Sequence, residues 1–398
     1  MPAGGLIRGG LRTSEALPAV KTVLAGTHRI CPPEETLRRI EPHFAAMGIT
    51  RLADLTWLDD IGIPVWQAVR PNSYTLSVAQ GKGLTGPLAK VSAAMEAIET
   101  WHAERLRPGR LEAVGALASE LPYNPAELPL VPRHHLNQAA LIEWSPAVPI
   151  RDATAATWVP MELVRLDGRV VRRWQVPLFH PSSNGLASGN TLHEATLHSL
   201  YEVIERDAAT RAGHPPARFL IDQATVDGDA GRLLEQFRRA GVDVRIDLMP
   251  SPMMIACLRV RIVSDAFPSL FQGMGCHLDR QVALCRALTE AAQGRLTAIS
   301  GVRDDMPGTW YRRAARAVSG TSGPPALDPL YDDAQLVDFE SVPSTSHPTL
   351  EEDLAAVAGM VAKTTGREPL VVDHTRAELG IPVTRVICPG LLYDPELT

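Results

Sequence analysis

Long apolar runs are missing from this 398-residue chain: none reaches the roughly 18 residues that a membrane-spanning helix needs. The opening MPAGGLIRGGLRTSEALPAV lacks the sustained apolar core of a signal peptide. Cysteine is sparse. Cys31, Cys257, Cys276, Cys285 and Cys388 are odd in number, widely spaced and without a C-x-x-C pair. That argues against a disulfide framework and against a structural zinc site, and free thiols fit a reducing cytoplasm. Basic blocks are also missing. With 39 Lys and Arg against 45 Asp and Glu, net charge is −6 and the arginines are scattered. No basic field attracts nucleic acid, and nothing marks a membrane partner. The familiar nucleotide and hydrolase signatures are absent too: no G-x-x-x-x-G-K-[ST], no G-x-S-x-G elbow and no H-E-x-x-H. What remains is an ordinary globular composition, 45% hydrophobic and 21% charged.

One stretch carries more information than any other: residues 184–207, NGLASGNTLHEATLHSLYEVIERD. A glycine-bearing turn precedes a helix that starts at Asn190 or Thr191. At about 100° per residue, Glu194, His198, Glu202 and Glu205 share one face. Carboxylates so close repel unless something positive covers them, and a hard cation such as Mg²⁺ takes oxygen ligands and bridges to phosphates. The pattern recurs. Ser92, Glu96 and Glu99 repeat the spacing of His198, Glu202 and Glu205, and Arg286, Glu290 and Gln293 repeat it again. Three helices with one polar stripe point to a single site lined by all three. The plainer reading is three solvated acidic faces, with Thr191 and Glu194 as a capping box; three recurrences weigh against it.

Along the chain, residues 1–25 are weakly specified and are expected to be flexible. Pro32, Pro33, Glu34 and Glu35 start a helix that continues through 36–47 and closes at Gly48. Strand-like runs cover 49–55, 65–69 and 76–79, followed by Gln80-Gly81-Lys82-Gly83 as a glycine turn with a solvated lysine. A helix spans about 84–106. Residues 108–135 read as a surface excursion. Strands are expected at 140–144, 158–164 and 170–179, and the central helix ends near 213–216. A helix closed by Gly241 leads to a strand over 242–248, and 253–263 is another. Asp279 caps a helix over 280–299. Residues 300–347 read as loop, 351–362 as helix, and 370–373 and 383–388 as strands. Without strict βαβ alternation, this is an α+β protein with helices packed on largely antiparallel sheets.

Converging carboxylates and cations suit a nucleoside triphosphate held through Mg²⁺, outside the P-loop and kinase patterns. His198 with Glu202 is an i, i+4 pair that zinc can use, but no second histidine shares the face, so His198 reads better as a neighbour of the site. Arg206, Arg286 and Arg295 are either surface ion pairs of little worth or phosphate clamps.

Taken together, Ser92-x-x-x-Glu96-x-x-Glu99, Asn184-Gly185 to Asn190-x-x-x-Glu194, Glu202-x-x-Glu205-Arg206-Asp207 and Thr289-Glu290-Ala-Ala-Gln293-x-Arg295 resemble the signature of the YcaO family. The resemblance runs from Gly26-Thr27-His28-Arg29 to Pro389-Gly390. It implies a YcaO-type fold over residues 26–398 as one catalytic domain, with an ATP and Mg²⁺ site between the three similar helices. It also implies an enzyme that activates a peptide backbone amide: a nucleophile adds to the carbonyl, the oxyanion is phosphorylated, and phosphate leaves. Family products are azolines, amidines or thioamides on ribosomally made precursor peptides. Carried across residue by residue, Glu96, Glu99, Glu194, Glu202 and Glu205 hold Mg²⁺. Arg29, Thr36, Lys82, Ser92, Asn190 and Arg206 contact ATP. Glu202, Arg206 and either Arg286 or Arg295 serve the phosphoryl transfer.

The C-terminus departs from the family's two-component azoline formers, which often end in P-x-P-x-P; Pro389 and Pro395 are six apart here. The expectation is a member that needs no E1-like partner, either stand-alone or paired with a TfuA-type sulfur-delivery protein, with a homodimer as one allowed assembly. None of the five cysteines is expected to be catalytic. Two other classes remain open: a non-catalytic nucleotide-binding or partner-docking protein, and a zinc hydrolase.

Overall fold

A computed structural model describes residues 20–169, 177–213, 218–301, 303, 327, 331 and 333–397. In chain order the described elements are β1 (Thr22–Leu24), β2 (Thr27–Arg29), α1 (Pro33–Ile40), α2 (Phe44–Met47), β3 (Arg51–Asp54), β4 (Val65–Val69), β5 (Val78–Lys82), α3 (Gly86–Glu104), β6 (Arg110–Ala113), β7 (Leu141–Pro149), β8 (Thr157–Pro160) and β9 (Leu186–Ser188). Then come α4 (Leu192–Ala212), β10 (Phe219–Ile221), α5 (Gly228–Arg239), β11 (Asp243–Leu248), β12 (Ala256–Val263), β13 (Phe271–His277), α6 (Arg280–Ser300), β14 (Gln335–Val337), α7 (Leu350–Thr365), β15 (Leu370–Asp373) and β16 (Val383–Ile387). Helices and antiparallel sheets are mixed, so the fold is α+β; among the described pairings only β10 with β14 is parallel. The expected strand over 170–179 falls largely outside the described residues. So do the residues closing the central helix, most of 300–347, and the start of the N-terminal stretch.

The chain divides into two compact units, each assembled from separate stretches. Of the described residues, the first holds 20–21 and those within 102–203 and 347–393. Its sheet runs β6-β7-β15-β16-β9, with β8 beside β7. Trp144, Phe179, Leu117 and Val159 are buried in its core with Leu370. The expected surface excursion over 108–135 is therefore corrected: Leu117, Tyr123 and Leu128 belong to this core, and β6 lies in the sheet. α7 opens on a full capping box between Thr349 and Glu352 and closes on left-handed Gly366.

The second unit holds 22–101, 204–346 and 394–398. It contains the three-stranded sheet β3-β4-β5 and the five-stranded sheet β13-β12-β11-β10-β14. Leu258, Val260 and Ile262 of β12 meet Leu284, Leu288 and Ala291 of α6 in its main core. Asp279 caps α6 through the Gln281 and Val282 amides. The first helix is interrupted: a 3-10 turn at Glu41–His43 separates α1 from α2. Pro42 lies in that turn and has no N–H with which to continue the helical ladder. Gln335–Val337, expected to be loop, is a strand held by β10.

Gly81 is also corrected. It lies inside β5 rather than in a turn, and a Cβ on it would come within 1.9 Å of the Ala93 amide nitrogen. β13 meets α6 in the same way: a Cβ on Gly273 would lie 2.3 Å from the Ala287 carbonyl oxygen, and one on Gly275 2.0 Å from that of Ala283. These glycines serve close strand–helix approach.

Candidate functional site

The close approach leaves each of three helices buried except along one stripe. Between residues 92 and 99 of α3, only Ser92, Glu96 and Glu99 are half-buried; the rest are buried. Between 194 and 209 of α4, the half-buried residues are His198, Glu202 and Arg206. Between 282 and 292 of α6, they are Arg286 and Glu290. The stripes legible as spacing are therefore the polar openings of otherwise buried helices, not broad solvated faces.

In the second unit these openings bring charges together. Lys82 Nζ on β5 lies 2.5 Å from Glu290 Oε2 on α6, so Lys82 is no solvated turn residue. The Met274 amide of β13 donates to Glu290 Oε1 (3.3 Å). Burial pushes the Glu290 carboxyl up. Lys82, by charge and hydrogen bond, and the charges of Arg206 and Arg286 outweigh burial and hold the carboxyl below the usual carboxylate range. Arg286 Nε is buried with no hydrogen-bond partner. Buried Glu205 and Arg286 both act electrostatically on Cys276 of β13. Carboxylates thus alternate with cations, the mixture that a metal–phosphate unit takes: guanidinium N–H to phosphate, carboxylate to metal.

The two arginines of α6 separate. Arg295 is buried; its Nε donates to Asp59 Oδ2 (2.9 Å), its Nη1 to Ser264 Oγ (2.7 Å), and its plane covers the Phe267 ring. Gln293 Nε2 donates to the Gln80 carbonyl (3.1 Å) on β5. Arg29 on β2 donates from Nη1 to the His28 carbonyl, and Thr36 on α1 lies 3.6 Å from Cys31 Sγ.

In the first unit, Glu194 is buried at the start of α4. Its amide donates to Thr191 Oγ1 (3.1 Å), and Asn190 Nδ2 reaches both its carboxylate oxygens at 3.2 and 3.3 Å. Glu202 acts electrostatically on Arg385 of β16. Arg385 was missed in the sequence; the available signal was an arginine inside the β-branched run VTRVI.

Among the described residues, no three His, Cys, Asp or Glu side chains form a ready-made metal centre. A nucleotide-bridging Mg²⁺ needs no such cage, because it keeps waters and uses one or two carboxylates plus phosphate oxygens. The carboxylate donors fit that ion, and the unpartnered Arg286 Nε fits a phosphate oxygen.

Fold and site thus define an α+β chain with a cluster in which carboxylates alternate with cations. Residues 80–392 match the family described as YcaO cyclodehydratase, ATP- and Mg²⁺-binding, and the chain belongs to the YcaO family. It is 40% identical over 374 residues to a Mycobacterium tuberculosis protein, covering 93% of this chain and 83% of that one. A Rhizobium leguminosarum bv. trifolii protein named for its place in the tfuA 3′ region is 36% identical over 386 residues, covering 92% and 89%. YcaO from Methanopyrus kandleri, solved with AMPPCP and Mg²⁺, shares the fold with a TM-score of 0.70, 24% identity and 94% coverage of both chains. ATP and Mg²⁺ are the cofactors that the family binds.

Proposed function

We propose that this chain is an ATP- and Mg²⁺-dependent enzyme that O-phosphorylates a backbone amide of a ribosomally made precursor peptide, giving an azoline or amidine. Residues 26–398 act in it as one catalytic unit; the family match, which runs through stretches of both compact units, supports this. Bound ATP with Mg²⁺ supplies the phosphoryl group and the charge neutralisation that such a transfer needs. Glu96, Glu99, Glu194, Glu202 and Glu205 are the carboxylates shared among the Mg²⁺ ions, one or two to each. Arg29, Thr36, Lys82, Ser92, Asn190 and Arg206 contact the nucleotide. Arg286 grips phosphate through its Nε, which has no partner in the protein. Arg295, bonded to Asp59 and Ser264, positions α6 instead.

The observation that carries this reading is the Lys82–Glu290 ion pair between β5 and α6, with the unpartnered Nε of Arg286 one turn away on the same helix. All five cysteines are buried, and burial pushes the Cys285 thiol up to about 12. Buried thiols that ionise so little supply almost no thiolate, and the attacking atom comes from the peptide or from outside. A second reading, thioamide formation with external sulfide and a TfuA-type partner, is favoured by the relative named for the tfuA 3′ region. Incubating the protein with ATP, Mg²⁺ and precursor peptide, with and without sulfide and a TfuA-type protein, then weighing the peptide, tests both. Loss of one water supports the azoline, and exchange of oxygen for sulfur supports the thioamide. An unmodified peptide under every condition overturns the proposal.

A further inference from the structure

In the first unit, β16 places an arginine where a sheet interior ordinarily holds an apolar side chain. Arg385 is 1% exposed. Its Nη2 donates to the Ser182 carbonyl (2.7 Å), while Nε and Nη1 are buried with no partner. Buried donors are nearly always satisfied, so two unused ones on a single guanidinium call for an acceptor. Both belong to a side chain lining a cleft with Val203, Ile387, Leu391 and Leu392. Asn184 lines the same cleft, and its side-chain oxygen is likewise buried without a partner. Apolar walls together with two lining side chains that carry unused polar atoms describe a ligand-binding cleft.

The charge balance narrows the ligand. Glu202 supplies an opposite charge near Arg385. A polyanion would meet that carboxylate and the Asn184 oxygen, whereas a neutral dipole that both accepts and donates meets neither penalty. An amide group has that character. We propose that this cleft receives one residue of the substrate peptide, its carbonyl accepting from Arg385, its N–H donating to the Asn184 oxygen, and an apolar side chain lying against Val203, Leu391 and Leu392. The proposal rests on the peptide-modifying function above and adds to it a subsite and a preference for an apolar residue.

Saturation-transfer NMR on the full chain tests it, with N-acetyl-leucine N-methylamide, N-acetyl-glycine N-methylamide and inorganic phosphate as probes. The leucyl probe should bind more tightly than the glycyl one. Arg385→Gln should weaken the leucyl probe about tenfold, the loss expected for a charged hydrogen bond. Leu392 is 46% exposed, so Leu392→Ala trims the wall without opening the core and should bring leucyl affinity towards glycyl. Leu392→Ala decides the matter if Arg385→Gln does not fold. Failure of both amides to bind, binding of phosphate alone, or leucyl binding unchanged in the folded variants overturns the proposal. A parallel titration with AMPPCP and Mg²⁺ separates the two readings. If nucleotide fails to bind while the amides bind, the amide-activation reading falls and the cleft stands.

Discussion

Gly273 offers a sharp test of how the site is built. A methyl group placed on it would lie 2.3 Å from the Ala287 carbonyl oxygen, 2.3 Å from the Ala291 amide nitrogen and 2.7 Å from Glu290 Cβ. Two of these are helix backbone atoms, which cannot rotate aside as a side chain can. α6 must instead move off β13 by about 1 Å to reach ordinary carbon contact distance. Overpacking a core costs about 1–3 kcal/mol, and a clash with backbone belongs at the upper end, so Gly273→Ala should cost about 3 kcal/mol. The movement also carries Glu290 away from the Met274 amide and from Lys82. Gly294 is the matched control. It lies in the same helix, and the nearest outside atom, the Gln272 carbonyl oxygen, is 3.6 Å from where a methyl would go. There alanine meets no clash and should stabilise the helix by about 1 kcal/mol. Thermal melting followed by circular dichroism, with AMPPCP titration of the same preparations, reads both effects. Gly273→Ala should melt lower and bind nucleotide more weakly, and Gly294→Ala should melt higher. A Gly273→Ala protein that melts with the wild type would refute the argument that glycine permits this contact.

Other expectations concern charge and caps. Lys82→Met removes a cation that holds Glu290 low, at a cost of about 1–2 kcal/mol near neutrality for a half-buried pair. Because the folded pKa of Glu290 is depressed, that stabilisation is present above the usual carboxylate range and is lost as pH falls through the folded value. Urea melts of the two proteins should therefore converge on acidification; a constant gap would contradict this. Arg295→Leu strands Asp59 and should cost about 3 kcal/mol, while a double change to leucine at both positions should recover most of that, as denaturation midpoints would report. His374 is pushed down from 6.5 to about 3 by burial, then by the charges of Arg385 and His102. The unfolded chain protonates first, so this contribution is full above about 6.5 and drains away towards about 3; His374→Asn should flatten that part of the stability profile. Thr349→Ala removes the capping box of α7 and should cost about 1 kcal/mol in the same melts.

Much of this architecture was legible because local signals agreed with the final packing. The Val65–Val69 strand, the α5–Gly241–β11 sequence, the Asp279 cap and the Glu-bearing helices all follow from period and punctuation. What was illegible depended on partners distant in sequence. Gly81 reads as a turn because glycine usually signals one, and only the position of α3 shows that it permits contact. Residues 108–135 are short elements among prolines, and their leucines become core only when β7 and β15 supply walls. Helix spacing does not show either that Arg295 is held by Asp59 and Ser264, which are 236 and 31 residues away in the chain.

The central claim is that a peptide amide oxygen is phosphorylated and expelled. The most direct measurement is to label that carbonyl with ¹⁸O in a precursor peptide, supply ATP and Mg²⁺ to the purified enzyme, and follow the label by mass spectrometry of the inorganic phosphate released. Whether ring closure or sulfur exchange follows, the account predicts one labelled oxygen in phosphate for each modified amide. Modified peptide accompanied by unlabelled phosphate, or label appearing in water, would contradict it.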